Sequence, residues 1–529
     1  MEKMPKKSEK EIEFLKNLEE RFETAKPVKE VADKLSEAGF EVYLVGGCLR
    51  DLLLGKIPKD WDLTTNAKPE EILKVFPDSV YENQFGTVGV KTRSADPAMA
   101  LVEVTTFRKE GKYTDKRHPD EITFAKTVEE DLSRRDFTIN AMAYLVHPDK
   151  RRAEGLVDPF GGKEDLQNGV IRAVGEPKER FEEDALRLMR AVRFAGRLGF
   201  SVEEKTAQAI KEKAGLLEFI AKERIREEFC KLVMTDNAAE GVRRMEELDL
   251  LRFVMPELRE GIGMDQNMHH IYTVFDHNVN AMDYSADQKF PLYLRLAALL
   301  HDVGKPKSRE WKVKPDGTRI HNGQKGEWTF LQHQYIGEKM VIPMLDRLKF
   351  SKKEIEKIAL LVREHMFAFD AELGTARGAR RFVNRVGQEN IEDLMKLREC
   401  DRIGSGTEVA VPMRLRKFKA MIEIAMKDPI SAKTLKVNGG DVMKLLKINP
   451  GPKVGAVLAV LLEKVLDNPK LNEKAKLLKE AEKLGKLSDK ELLGLREKAR
   501  KEIEAEQKRV DEGVMAQYGV KGPMARPKK

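Results

Sequence analysis

Two carboxylates one residue apart, Asp60 and Asp62 in KDWDLTT, are the first side chains in this sequence whose spacing suggests chemistry. Alternate residues of a strand share a face, so this pair points one way while Trp61 and Leu63 point the other. Two like charges about 4 Å apart repel by roughly 4 kcal/mol at an effective dielectric of about 20. A cation between them relieves that repulsion, and a hard ion that prefers oxygen ligands, Mg²⁺ first, suits the pair. Upstream, the apolar run Val42, Leu44, Val45 stops at Gly46-Gly47, and Arg50-Asp51 with the leucines 52–54 follow as a short helix. Glycines at a helix start expose backbone N–H groups that can hold a phosphate. A phosphate cradle followed by a metal-binding Asp-x-Asp points to phosphoryl or nucleotidyl transfer.

The whole combination, GG-x₂-RD-x₃-G-x₄-D-x-D-x₂-T over 46–65, resembles the nucleotidyltransferase motif of the bacterial-type tRNA CCA-adding enzyme and poly(A) polymerase family, within the DNA polymerase β superfamily. The resemblance implies Asp60 and Asp62 as catalytic Mg²⁺ ligands. It also favours Glu103 of ALVEVTTFR as a third carboxylate, where a strand glutamate taken alone reads as an edge residue. Gly46, Gly47 and Arg50 are implied at the nucleotide phosphates, and Asp51 among the nucleotide-binding residues. RRDFTINA at 134–141 matches the family's second motif and implies that Arg134, Arg135, Asp136 and Asn140 meet the ribose and phosphates of the incoming nucleotide.

The stretch 182–200, EEDALRLMRAVRFAGRLGF, reads as one long amphipathic helix. Asp184, Arg187 and Arg190 step by three along one stripe, with Glu183 beside it. From the residues alone, an i,i+3 salt-bridge ladder explains that stripe. The EDxxR pattern of Glu183, Asp184 and Arg187 resembles the protein template with which the family reads the base of ATP or CTP, and Arg190 and Arg193 are then expected at the triphosphate. Carboxylate acceptors and guanidinium donors can copy a Watson–Crick edge, and a good bidentate pair discriminates bases by about 1–3 kcal/mol.

Seven of the nine histidines fall between 269 and 365, which locates a second region to search. An apolar helix, LRLAALL, ends at His301-Asp302, where both side chains can reach one metal. His277, His333, His365 and Asp401 are further candidates, although any one of them taken singly reads as a structural residue. The order H…HD…H…H…D resembles the HD superfamily of metal-dependent phosphohydrolases. That likeness implies His277, His301, Asp302 and Asp401 as the core ligands, with His333 and His365 completing a second position, and Mn²⁺, Ni²⁺ or Co²⁺ as the ion. His269, His270 and His321 have no assigned place.

Elements that must position these groups follow from the pattern. Strands are expected at 41–47, 60–66, 86–92 and 100–107, with helices at 27–40 and 69–76 and a helix entry over 128–144. The predicted class is α+β. A charged extension (1–26) precedes a nucleotidyltransferase head (27–160), a helical neck and body (161–262), an HD-like domain (263–405), a helical tail resembling the family's tRNA-contacting segment (406–480) and a charged extension (481–529). The polar loop 109–121 is expected to be mobile. From about 473 the Glu/Lys-rich pattern shows no convincing apolar stripe, and 519–529 is expected to be disordered.

With 529 residues the chain is long enough for three or four domains. A net charge of +8 permits an anionic partner. Three scattered cysteines lack zinc spacing and suit a reducing cytoplasm, and the N-terminus carries no apolar signal core. No apolar run is long enough to span a bilayer.

The expected activity is template-independent addition of CCA to a tRNA 3′ end from CTP and ATP. Poly(A), CC-only or A-only addition share these motifs. Phosphohydrolysis at the HD-like region as the principal activity, and a non-catalytic RNA-binding adaptor, are the competing readings.

Overall fold

The computed structural model describes residues 9–83, 86–110, 122–147, 155–266, 271–314, 318–319, 321–322, 325–326, 328–367, 376–426 and 435–520. The expected mobile loop falls mostly, and the expected disordered terminus almost wholly, outside these residues, as do His269 and His270. The chain divides into two compact units, Met1–Arg363 with Ile403–Gly406, and Glu364–Arg402 with Thr407–Lys529.

The first unit opens with helices α1 (Glu9–Thr24) and α2 (Lys26–Glu37) ahead of strand β1 (Val42–Val45). Helix α3 (Gly46–Leu53) leads through a turn to β2 (Trp61–Thr65), and α4 (Pro69–Val75) to β3 (Val80–Asn83), β4 (Thr87–Lys91) and β5 (Leu101–Thr106). The hairpin β6 (Arg108–Glu110) and β7 (Ile122–Phe124) precedes α5 (Val128–Ser133), β8 (Ala143–Leu145) and β9 (Leu156–Val157). Seven of these strands form one sheet in the order β3-β4-β5-β2-β1-β8-β9, in which β2 and β5 run parallel. Strands β3, β8 and β9 are short and carry no clean alternation, so the sequence pattern did not reveal them.

The expected helix entry over 128–144 is corrected. Helix α5 stops at Ser133, Thr138–Asn140 form a single 3-10 turn, and the chain enters the sheet as β8. Apolar side chains of β1, α5 and β8 close a core of Tyr43, Val45, Phe107, Val128, Leu132, Ala143 and Leu145. The N-terminal extension is part of this fold. Leu18 and Phe22 of α1 are buried, and the Phe22 ring lies 6.3 Å from that of Trp61. Burying one such side chain stabilises the fold by roughly 1.5–3 kcal/mol.

Helices then continue the unit, through α6 (Gly162–Asn168), α7 (Pro177–Glu183), α8 (Leu186–Leu198), α9 (Glu204–Lys213) and α10 (Lys222–Val233), to Val274–Asp287, Leu292–Leu300 and His333–Arg347. The single helix expected over 182–200 is corrected. Asp184 is extended (φ −137°, ψ 103°) and separates α7 from α8, because its carboxylate accepts the Leu186 N–H at 3.0 Å. Such local bonds let aspartate compete with the helical ladder.

The second unit is helical. Its core joins Val442, Val457 and Leu461 to Leu477, Leu484 and Leu492. The expected lack of an apolar stripe after 473 is therefore corrected: Leu477, Ala481 and Leu484 share one face of Lys474–Gly485, and Leu492 and Ala499 share one face of the 29-residue helix Asp489–Gln517. Alanines at stripe positions diluted the signal. No helix among the described residues is long and apolar enough to cross a membrane.

Candidate functional site

Strand pairing builds the acidic site. The β2–β5 register sets Asp62 directly opposite Glu103, so both side chains leave the same face. Trp61 and Leu63 are buried on the other face, and Asp60 sits exposed in the bend just before β2. Burial raises the Asp62 carboxyl above its usual range, and the Asp60 charge adds to this against the opposing pull of Arg135 and Arg50. Carboxylates crowded in this way are a donor set suited to a hard divalent cation.

Gly46 faces them. Its φ of +72° favours glycine, and a Cβ there would lie 2.8 Å from Arg135 Nη1 and 3.5 Å from Asp62 Oδ2. The turn thus brings backbone, guanidinium and carboxylate together where a side chain would block them. Cys48 Sγ–H donates to Val45 O at 3.1 Å from a buried position, and burial pushes this thiol up to about 12.

The arginines are organised by carboxylates. Asp131 is fully buried and holds both motif guanidiniums, with Arg134 Nη2 at 2.9 Å and Arg135 Nη2 at 3.4 Å. Burial works against the charge on Asp131, but these two arginines hold its carboxyl below the usual range. A continuous polar chain then crosses the site. Arg197 Nη2 donates to Asp51 Oδ2 (2.9 Å), Arg50 Nη2 to Asp51 Oδ1 (2.6 Å) and Arg50 Nη1 to Asn140 Oδ1 (2.6 Å). Asn140 Nδ2 donates to Asp136 Oδ1 (3.1 Å), and Arg190 Nε to Asp136 Oδ2 (2.7 Å). Burial alone would raise Asp136, yet Arg190, Asn140 and Arg187 bring its pKa down to about 2. The Phe194 ring lies under three guanidiniums, with centroid distances of 5.2 Å to Arg50, 5.2 Å to Arg190 and 4.0 Å to Arg193.

These contacts revise part of the expectation. Arg50 is 2% exposed, with its guanidinium committed to Asp51 and Asn140, so it stands as a clasp between α3 and the 3-10 turn rather than as an open phosphate ligand. Arg193 is buried and paired with Glu228 at 2.5 Å. Arg187 Nη1 donates to Glu183 Oε2 (2.6 Å), and its Nη2 to the Arg134 carbonyl (3.0 Å), which joins the EDxxR segment to the RRDFTINA segment. Asp184 Oδ2 accepts from Arg224 Nη2 at 3.2 Å. Sequence reasoning missed Asp131, Phe194, Arg197, Arg224 and Glu228. Only Asp131 left a readable signal, its i,i+3 and i,i+4 spacing to Arg134 and Arg135.

A second cluster lies in the same unit. His277 Nε2 and His301 Nε2 are 2.9 Å apart, and they lie 3.1 Å and 3.3 Å from Asp302 Oδ2. His333 Nε2 lies 3.1 Å from Asp302 Oδ1. The Nδ1 atoms of His301 and His333 each lie 2.7 Å from a backbone carbonyl, of Ala298 and Phe330 respectively. That pairing places the proton on Nδ1 and leaves Nε2 as the lone-pair atom, the arrangement metal-binding histidines use. Lone pairs and a carboxylate converge in this buried space, and the His277, His301 and Asp302 ligand atoms lie within 4.8 Å of one another, a set that could hold a metal ion. Lys305 Nζ meets Asp302 Oδ2 at 2.5 Å. Burial opposes the charge on Asp302, but the Lys305 ammonium beside it holds its carboxyl well below the usual range. Gly304 permits the approach of the neighbouring helix, since a Cβ there would lie 2.2 Å from the His333 carbonyl oxygen. His365 and Asp401 belong to the second unit, where both are buried.

Comparison with known proteins fits this geometry. Residues 42–172 match the family model for the poly A polymerase head domain, 199–262 that for the "Probable RNA and SrmB- binding site of polymerase A", and 321–481 that for tRNA nucleotidyltransferase domain 2. The chain is 32% identical to the CCA-adding enzyme of Lactiplantibacillus plantarum over 468 residues, 88% of this chain and 97% of that protein. It is 35% identical to the A-adding tRNA nucleotidyltransferase of Deinococcus radiodurans over 431 residues, 79% of this chain and 90% of that protein. Among solved structures, the Bacillus stearothermophilus CCA-adding enzyme in complex with CTP aligns with a TM-score of 0.52 at 26% identity, over 87% of this chain and 96% of that one.

Proposed function

This chain belongs to the tRNA nucleotidyltransferase family of the CCA-adding enzymes, and on that premise we propose that it completes tRNA 3′ ends by adding C, C and A from CTP and ATP. The observation that carries the reading is the β2–β5 register, which lays Asp62 beside Glu103 and two residues from Asp60, against Gly46 and Arg135. Asp60, Asp62 and Glu103 would hold Mg²⁺. Bound there, a pair of such ions supplies charge neutralisation at the attacking 3′-hydroxyl and at the leaving pyrophosphate. Backbone N–H groups at Gly46 and Gly47, with Arg134, Arg135 and Arg190, cradle the triphosphate. Asp184 and Arg187 present the acceptor and donors that select C or A, and the bonds of Arg187 to Glu183 and the Arg134 carbonyl fix its guanidinium plane.

The test is single-turnover extension of tRNAs ending at the discriminator base, at C and at CC, with ATP, CTP or both in Mg²⁺. Two C additions then one A, followed by arrest, are expected. A-only products would favour the alternative suggested by the Deinococcus relative, and long A tracts would indicate poly(A) synthesis. No extension would overturn the reading.

For the second cluster the proposal is metal-dependent phosphohydrolysis, supported by the convergence of His277, His301, Asp302 and His333. Hydrolysis of p-nitrophenyl phosphate in Mn²⁺, Ni²⁺ or Co²⁺ is expected to vanish in His301→Ala and to persist in Asp60→Ala. Equal hydrolysis in wild type and His301→Ala would remove the assignment.

A further inference from the structure

The second unit contains a cavity of about 260 Å³ whose lining includes none of the residues assigned above to either site. Its wall is apolar: Phe367, Leu415 and Phe418, with exposures of 7%, 6% and 0%. The Phe367 and Phe418 rings are 5.1 Å apart and inclined by 31°, and Phe382 closes a triangle behind them at 5.4 Å and 5.3 Å. Three guanidiniums line the same space. Arg398 and Arg402 are one turn apart on Ile391–Gly404, and Arg414 lies one turn before Phe418 on Met413–Met426.

These cations are poorly neutralised. Arg398 is paired with Asp401 at 2.5 Å. Among the described residues, Arg402 donates its Nε to the Val409 carbonyl at 3.2 Å and meets no carboxylate. Arg414 is exposed and takes no partner among the described residues. Three guanidiniums against one carboxylate would repel one another beside an apolar wall unless an anion is shared between them. The required ligand therefore has a flat apolar part and an anionic part. Drug-sized pockets run to roughly 300–1,000 Å³, so this smaller one suits a single ring system.

We propose that this cavity binds one nucleoside phosphate unit. The base lies against Phe367, Leu415 and Phe418, and the phosphate sits among Arg398, Arg402 and Arg414. The unit comes either from a free nucleotide or from an unpaired position of an RNA. The proposal stands apart from the transfer reaction and does not depend on it.

Equilibrium dialysis of radiolabelled AMP against the full chain in EDTA tests it, because divalent ions are then absent from both carboxylate sites. AMP is expected to bind at least roughly tenfold more tightly than adenosine or inorganic phosphate. Arg402→Ala with Arg414→Ala is expected to weaken AMP at least roughly tenfold with an unchanged thermal midpoint. If that double variant fails to fold, the exposed single change Arg414→Glu serves instead. Displacement of AMP by a single-stranded RNA nonamer supports the RNA source, and failure to displace supports the free nucleotide. Equal AMP affinity in wild type and variant, phosphate binding as tightly as AMP, or no AMP binding at all would each overturn the proposal.

Discussion

The two carboxylate clusters of the first unit solve the problem of crowded negative charge in opposite ways. At the sheet, Asp60 and Glu103 are exposed and Asp62 is half-buried, and the balancing guanidiniums stand on other segments. At the histidine cluster, His277, His301 and Asp302 are at most 1% exposed, and Lys305 is already in contact. The first arrangement leaves room for an ion that arrives with a charged substrate and keeps some of its water, as Mg²⁺ prefers. The second is buried, with the tautomers of His301 and His333 set by backbone carbonyls, and is suited to an ion bound before any substrate.

Substitutions should separate the two. The largest effect is expected from Asp62→Ala, with nucleotide addition falling by about 10²–10³-fold or more in single-turnover extension, in line with removal of a central electrostatic group. Metal retained at the histidine cluster, read by elemental analysis, should not change. Loss of both together would break the contrast. Conversely, His301→Ala should lower retained metal by more than the roughly 10–100-fold typical of outer-shell changes, while extension stays within about twofold.

Arg190→Met sharpens the view that the sheet site is held by its surrounding cations. It leaves the buried Asp136 carboxylate without its main partner and should destabilise the fold by about 3–5 kcal/mol in denaturant unfolding. The same pair predicts a pH limb. The folded pKa of Asp136, about 2, lies below the roughly 3.9 of an unfolded aspartate. Its stabilisation is therefore present above about pH 4 and lost as pH falls toward 2, an effect of about 2–3 kcal/mol. Thermal midpoints from pH 5 to 2 should drop less steeply in Arg190→Met than in wild type. The smallest effect belongs to Gly46→Ala. Positive φ and the displaced Arg135 should cost about 1–3 kcal/mol of stability, with a matching loss of extension and no change in metal retention.

How far the sequence could be read depended on whether a group's partners were its near neighbours. Gly46, Asp60 and Asp62 lie in one contiguous motif, whereas Glu103 was named through the family resemblance, and the β2–β5 pairing that sets it opposite Asp62 could not be read from the residues. Asp184 was misread because the apolar period continues across it, while its own side chain ends one helix and starts the next. Arg50 and Arg193 were expected at phosphates because the family resemblance implies it. Their carboxylates, Asp51 beside one and Glu228 far along the chain from the other, engage them instead. Phe194 carried no signal, since its meaning arises only when Arg50, Arg190 and Arg193 meet over one ring.

That shared ring has a consequence for how the arginines can be measured. Arg50 and Arg190 are linked twice, through Asn140 and Asp136 on one side and across Phe194 on the other. Residues joined in one network do not contribute additively. Double-mutant cycles among Arg50, Arg190 and Arg193 should return coupling energies of about 0.5–3 kcal/mol. The three guanidiniums then behave as one mechanical part, and the energy assigned to any one of them depends on which of the others was removed first.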